Sequence, residues 1–107
     1  MLTCPSYAFD VASRHSQPFL INRRLFAFAD NGVPDGIKCD MEGNVYSGCG
    51  DGVNVWSPGG ALLGRILISG GAANFCFGRG GEMFILNEHR LSRAQLSSSV
   101  KGALLRI

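Results

Sequence analysis

The sequence predicts an all-β protein, and within that class a partial β-propeller. Three observations carry the expectation. Short apolar runs at Ile37 to Cys39, Val45-Tyr46 and Val53 to Trp56 are separated by turn-forming stretches, Met41 to Asn44 and Gly48 to Gly52. That alternation marks antiparallel strands in a meander. The arrangement then recurs without a gap, so that Ile37, Cys39, Gly43, Val45, Tyr46 and Val53 fall on Phe75, Phe77, Gly81, Met83, Phe84 and Leu91. A self-similar unit of about 40 residues, all strand and turn, is the sequence form of a propeller blade. Finally, 15 glycines in 107 residues, with 46% hydrophobic and 9% aromatic content, suit a chain of strands and tight turns.

Taken in order, Tyr7 to Val11 reads as a strand and Ala12 to Pro18 as a polar loop. Phe19 to Phe28 is the next strand. Its end is apolar on both faces, as expected of a strand buried between sheets, and Asp30-Asn31-Gly32 breaks it. After the meander, Ser57 to Gly60 turns the chain into Ala61 to Ser69, a strand rather than an amphipathic helix because Gly59, Gly60 and Gly64 oppose helix. Gly70-Gly71 crosses to a last set of strands at Phe75 to Phe77, Met83 to Asn87 and Leu91 to Leu96. In the tail, 97–107, Val100, Ala103, Leu104 and Ile107 have helical spacing, while Leu104 to Ile107 also reads as a final strand, which is the expectation adopted.

Composition excludes several function classes. The net charge is +2 and the basic residues are scattered, with only Arg23-Arg24 adjoining, so neither nucleic acid nor an anionic membrane is indicated as a partner. That pair is expected to place one side chain outward and one partly covered. No stretch approaches 18 apolar residues, and no basic segment precedes an apolar one at the N-terminus. The residues present set no compartment. Cys4, Cys39, Cys49 and Cys76 include no Cys-x-x-Cys pair, which argues against a zinc knuckle. Cys39 and Cys76 are expected to be buried as small apolar groups, and a disulfide through Cys4 or Cys49 stays open.

Candidate functional residues come from where the repeat fails. Asp35 and Gly36 align with Ala73 and Asn74, so the carboxylate heading the first copy has no counterpart in the second. A unique acid at the start of an inner strand is a candidate site residue; the competing reading is that Pro34-Asp35-Gly36 only shapes a turn. Asn74 heads the second inner strand and either lines the same mouth or caps the turn after Gly71. Asn31 and Asp40 are weaker candidates, Asp40 being suited to bonding the backbone of the turn that follows it. His15 and His89 have no partner at metal spacing, and Glu88-His89 reads as a solvated turn. There is neither a Gly-x-Ser-x-Gly elbow nor a phosphate loop.

The runs from Phe26 to Tyr46 and from Gly50 to Gly60, above all Pro34-Asp35-Gly36-Ile37 followed by Asp40, Gly43, Asn44, Val45 and Tyr46, closely resemble the C-terminal blades of the gluconolactonase family. That family includes senescence marker protein and luciferin-regenerating enzyme, and the wording is most similar to its fungal lactonohydrolases. The resemblance covers roughly Tyr7 to Leu96. It implies a six-bladed propeller that holds a divalent metal, calcium first and zinc, manganese or magnesium as alternatives, and that opens sugar or aldono-lactones by metal-assisted ester hydrolysis. The family holds its metal with a Glu near the N-terminus, an Asn in a middle blade and the Asp of the Pro-Asp-Gly motif. Only the last carries over, to Asp35, as metal ligand and catalytic residue.

At about 40 residues per blade, 107 residues supply about two and a half blades. The expected organisation is therefore a C-terminal part of such a propeller, with outer strands of one blade at 6–29 and further blades at 35–72 and 73–107. Ser6 to Val11 already reads as an outer strand, and Met1 to Pro5 does not resemble a family start. The expectation is that the chain alone binds metal poorly and is inactive. The alternative reading is a non-catalytic remnant acting, if at all, as an interaction module through open sheet edges.

Overall fold

The computed structural model describes residues 4–107, so any reading of Met1 to Thr3 lies outside the described residues. Among the described residues, nine strands form three antiparallel sheets in chain order. Strands β1 (Pro5–Arg14) and β2 (Gln17–Phe28) make a long ribbon. Strands β3 (Ile37–Cys39), β4 (Val45–Cys49), β5 (Gly52–Trp56) and β6 (Leu62–Leu67) make a four-stranded sheet in sequence order. Strands β7 (Asn74–Phe77), β8 (Glu82–Leu86) and β9 (Leu91–Gln95) make a three-stranded one. No helix is long and apolar enough to cross a membrane among the described residues.

The internal repeat is reproduced down to hydrogen-bond register. In the second sheet Lys38 faces Tyr46 and Cys39 faces Val45, while in the third Cys76 faces Phe84 and Phe77 faces Met83. The next ladder repeats as well: Val45 faces Trp56 and Tyr46 faces Val55, matched by Met83 facing Ala94 and Phe84 facing Arg93. Because a one-residue slip would turn every side chain to the opposite face, the shared register orients both sheets alike, and they stack with opposite faces together: Tyr46 and Val53 of the second sheet meet Met83 and Ile85 of the third, whose own counterparts in the repeat are Val45 and Ser47. The fold is thus a partial β-propeller.

Between the second and third sheets, Tyr46 and Val53 meet Ala72, Phe75, Met83 and Ile85, all buried. Burying a side chain such as Val53 or Ile85 is worth roughly 1.5–3 kcal/mol, so this layer holds the two sheets together. The Phe77 ring packs edge-on against Tyr46, centroids 5.0 Å apart. A smaller cluster of Ala27, Ala29, Cys49 and Trp56, with Phe26 beside it, ties the end of β2 to the second sheet.

Several expectations are corrected. The predicted loop 12–18 is a two-residue hairpin turn, with β1 running to Arg14 and β2 starting at Gln17. Both turn residues, His15 and Ser16, have positive φ (51° and 62°), the twist that joins two strands tightly, though neither belongs to the Asn-Gly type that announces it. The end of β2 is not buried on both faces: Ala27 and Ala29 are covered, while Leu25 and Phe28 remain half exposed. Arg23 and Arg24 are both exposed. Arg24 pairs with Asp10 at 2.8 Å, and Arg23 lies over the Tyr7 ring.

Cys39 and Cys76 are exposed, because they occupy outward positions on the edge strands β3 and β7. All four cysteines are free thiols. The tail forms no strand. It docks across the end of β3, where the Ala103 N–H donates to the Cys39 carbonyl and the Met41 N–H to the Lys101 carbonyl, both at 2.9 Å. It then turns away, leaving Leu104 92% exposed.

Candidate functional site

Residues 31–39 alternate between exposed and partly covered positions, and Asp35, Ile37 and Cys39 occupy exposed ones in line. Asp35 sits immediately before β3, its N–H donating to the Gly48 carbonyl at 2.8 Å. Gly48 donates in return to the Gly36 carbonyl at 2.9 Å, and Gly36 donates to the Ala73 carbonyl at 2.8 Å. The head of β3 is therefore stitched on one side to β4 and on the other to the segment leading into β7.

Glycine permits this closeness. A Cβ at Gly36 would strike the side-chain oxygen of Asn74, and one at Gly48 would strike the Ala72 carbonyl. The heads of the two innermost strands thus touch, bringing Asp35 and Asn74, the two residues singled out from the sequence, to the same end of neighbouring sheets. Asn74 also serves its own backbone, its Oδ1 accepting the Phe75 N–H at 2.9 Å. The Asp35 side chain is exposed and has no hydrogen-bonding or ionic partner among the described residues.

Most of the other acids have partners, while the exposed Glu42 carboxylate, like that of Asp35, has none among the described residues. Asp40 is buried, and its carboxylate accepts from the Glu42 and Asn44 N–H groups, the Asn44 side chain and the Tyr46 hydroxyl, at 2.9–3.0 Å. Burial, reinforced by the Asp40 carboxylate, raises the Tyr46 pKa well above the ordinary phenol value. Asp30 and Asp51 flank Arg65. Glu88 and His89 are exposed and 4.0 Å apart, and His15 sits in the hairpin turn. Asn31 accepts the Gly50 N–H through its backbone carbonyl.

Sequence reasoning passed over Asn87. Its amide donates to the Ser69 and Gly71 carbonyls, and its Oδ1 accepts from the His89 and Arg90 N–H groups. It fixes the crossing that delivers Asn74. A lone Asn after a strand carried no signal beyond an ordinary turn.

For a divalent cation, the donor set is the test. No three His, Cys, Asp or Glu side chains converge among the described residues. A hard cation such as calcium takes six to eight oxygens; here the heads of β3 and β7 offer the Asp35 carboxylate and one amide oxygen, that of Asn74, already engaged by backbone. These residues by themselves do not fit the ion.

Comparison with known proteins shows what the chain is similar to. The family model described as SMP-30/Gluconolactonase/LRE-like region matches residues 5–88. A lactonohydrolase of Aspergillus oryzae is 37% identical over 93 residues, which is 85% of this chain and 19% of that protein. A gluconolactonase of Zymomonas mobilis is 36% identical over 69 residues, 60% of this chain and again 19% of the relative. The chain thus spans about a fifth of the length of these curated relatives.

Among solved structures, a gluconolactonase from Xanthomonas campestris superposes with a TM-score of 0.68 at 36% identity, over 78% of this chain and 28% of that one. A second structure, described as a gluconolactonase, superposes with a TM-score of 0.70 over 90% of this chain and 31% of that one; at 24% identity it speaks to fold alone.

Proposed function

The chain belongs to the SMP-30/gluconolactonase/LRE-like family, and on that footing we propose that it forms part of a lactone hydrolase. In this reading it is a C-terminal part of the propeller, with outer strands of one blade at 6–29 and blades at 35–72 and 73–107. The observation that carries the reading is the state of Asp35: a carboxylate at the head of the innermost strand, exposed and unengaged, fixed through its backbone beside Asn74. An acid kept for turn-building alone would bond its own turn, as Asp40 does.

In lactone opening, water adds to the acyl carbon, a base removes its proton, and the ring C–O bond breaks to release a hydroxy acid. Asp35 is the described residue suited to accept that proton. Asn74 is suited to border the ring through its amide. The family's chemistry further suggests a divalent cation, calcium first and zinc, manganese or magnesium after it, with Asp35 as one oxygen ligand. Because the described residues complete no such shell, the remaining oxygens would come from elsewhere, and the 107-residue chain on its own is expected to be inactive.

The test is a chimera in which the stretch of this chain that matches the Zymomonas gluconolactonase, 60% of its length, replaces the matched segment of that enzyme. The supported outcome is hydrolysis of glucono-lactone that falls by at least about 100-fold, some 2.7 kcal/mol of barrier, on Asp35→Asn. A folded, active chimera indifferent to Asp35→Asn would remove this assignment.

A second reading is favoured by the ribbon, whose β1 edge is unpaired among the described residues and whose Tyr7, Val11, Leu20 and Leu25 are exposed. Such edges invite association. In that reading the chain is a non-catalytic interaction module, self-associating through open sheet edges. Light scattering that shows a monomer at all concentrations would exclude it.

A further inference from the structure

Next to Asp35, along the same strand, lies a groove that the proposed hydrolytic chemistry does not use. It encloses about 490 Å³ between Ile37, Lys38 and Cys39 of β3, Cys76 and Phe77 of β7, and the tail around Leu104. That volume falls in the range of small-ligand sites. Ile37 is 56% and Leu104 92% exposed, so its walls present apolar surface to water, a situation that an apolar occupant relieves.

Among the described residues, Lys38 is the only charged side chain in the lining. Its Nζ stands 5.9 Å from the centre of the Phe75 ring, and among the described residues no carboxylate pairs with it. An ammonium beside apolar walls and unpaired among the described residues favours an anion more strongly than it would in open water.

We propose that this groove binds an alkyl carboxylate, its chain against Ile37, Cys39, Cys76 and Leu104 and its carboxylate on Lys38. The assignment deepens the lactone-hydrolase reading and rests on it for its substrate class. Water opening an alkyl-substituted lactone yields one molecule bearing a hydroxyl and a carboxylic acid, and the acid loses its proton to solvent at neutral pH. The substrate class is then a lactone with a medium-length alkyl substituent. A fully hydroxylated ring would leave its hydroxyls without partners along these walls.

The groove carries its own reporters. Cys39 and Cys76 are exposed thiols in its wall, Cys49 is buried, and Cys4 lies outside the lining. With the 107-residue chain, N-ethylmaleimide alkylation is followed at each cysteine by mass spectrometry while octanoate is titrated. Octanoate at twice its Kd should slow Cys39 and Cys76 about threefold and leave Cys4 unchanged. In Lys38→Met, checked by circular dichroism for retained fold, octanoate should protect no better than uncharged octanol.

Absence of protection up to ~10 mM octanoate, an affinity too weak to matter, would overturn the proposal, as would equal slowing at Cys4. The outcome is separable from the chimera's. Octanoate protection with an inactive chimera would keep the carboxylate site and remove the lactone; an active chimera without protection would do the reverse.

Discussion

The side-chain oxygen of Asn74 fills the space in which a side chain at position 36 would have to begin. Gly36 and Asn74 head neighbouring inner strands, so the absence of one side chain and the presence of the other are a single packing decision. Gly36→Ala is expected to cost about 1–3 kcal/mol, the usual range for overpacking, measured by urea denaturation. Combining it with Asn74→Ala should recover part of that loss. Strict additivity of the two costs would show that they do not share this space.

Asp35 and Asp40 should separate cleanly by stability. Removing the exposed, unengaged Asp35 carboxylate as Asp35→Ala should move the unfolding free energy by no more than about 0.5 kcal/mol. Asp40→Ala leaves the Asn44 and Tyr46 donors without their acceptor and should cost at least about 3 kcal/mol, since bonds to a charged group are worth about 1.5–3 each. Equal losses in the two variants would mean that Asp35 is a turn builder after all.

Tyr46 makes the fold sensitive to alkali. Its folded pKa is raised, first by burial and then by the bond to Asp40. The unfolded chain therefore ionises this phenol at lower pH than the folded one. Its stabilising contribution is complete below the ordinary value of 10.0 and is lost as pH rises above it, by up to about 1.4 kcal/mol per unit. Urea midpoints at pH 7, 10.5 and 11.5 should fall along that line, and Tyr46→Phe, less stable at neutral pH, should show a flatter alkaline limb. Parallel alkaline limbs would contradict the assignment.

Calcium should leave the isolated chain nearly untouched. With one carboxylate and one engaged amide at the mouth, a Kd no tighter than about 1 mM is expected, so 1 mM calcium would add at most about 0.4 kcal/mol by mass action. Differential scanning fluorimetry with and without chelator tests this, and a rise in Tm of several degrees would reveal a more complete donor set than Asp35 and Asn74 form.

What was legible in the sequence is what repetition and turn chemistry encode. Ile37, Val45 and Val53 recur as Phe75, Met83 and Leu91, and the strands and their register follow, because period-two alternation fixes which face each residue takes. The mismatch at Asp35 was legible for the same reason. The edges were not. Whether Cys39, Cys76, Leu25 or Phe28 is covered depends on what lies across from it, and residue type alone cannot say that a β-strand position faces a groove. The hairpin at His15-Ser16 was missed because left-handed backbone at two non-glycine residues is set by the pairing of β1 with β2, not by local preference. The tail went wrong because it meets the end of β3 through an isolated bridge, bonded at Cys39 and Met41, and not through a continuous ladder.

The ribbon of β1 and β2 meets the rest of the molecule chiefly through Ala27, Ala29 and Phe26 at one end. Its outer length is therefore held by its own ladder, while the two inner sheets share a common layer of buried side chains. Such a molecule should unfold in two tiers under native conditions. Amide protons between Tyr7 and Arg24 would trade with deuterium through local opening, and those of Tyr46, Val53 and Met83 only when the whole chain comes apart.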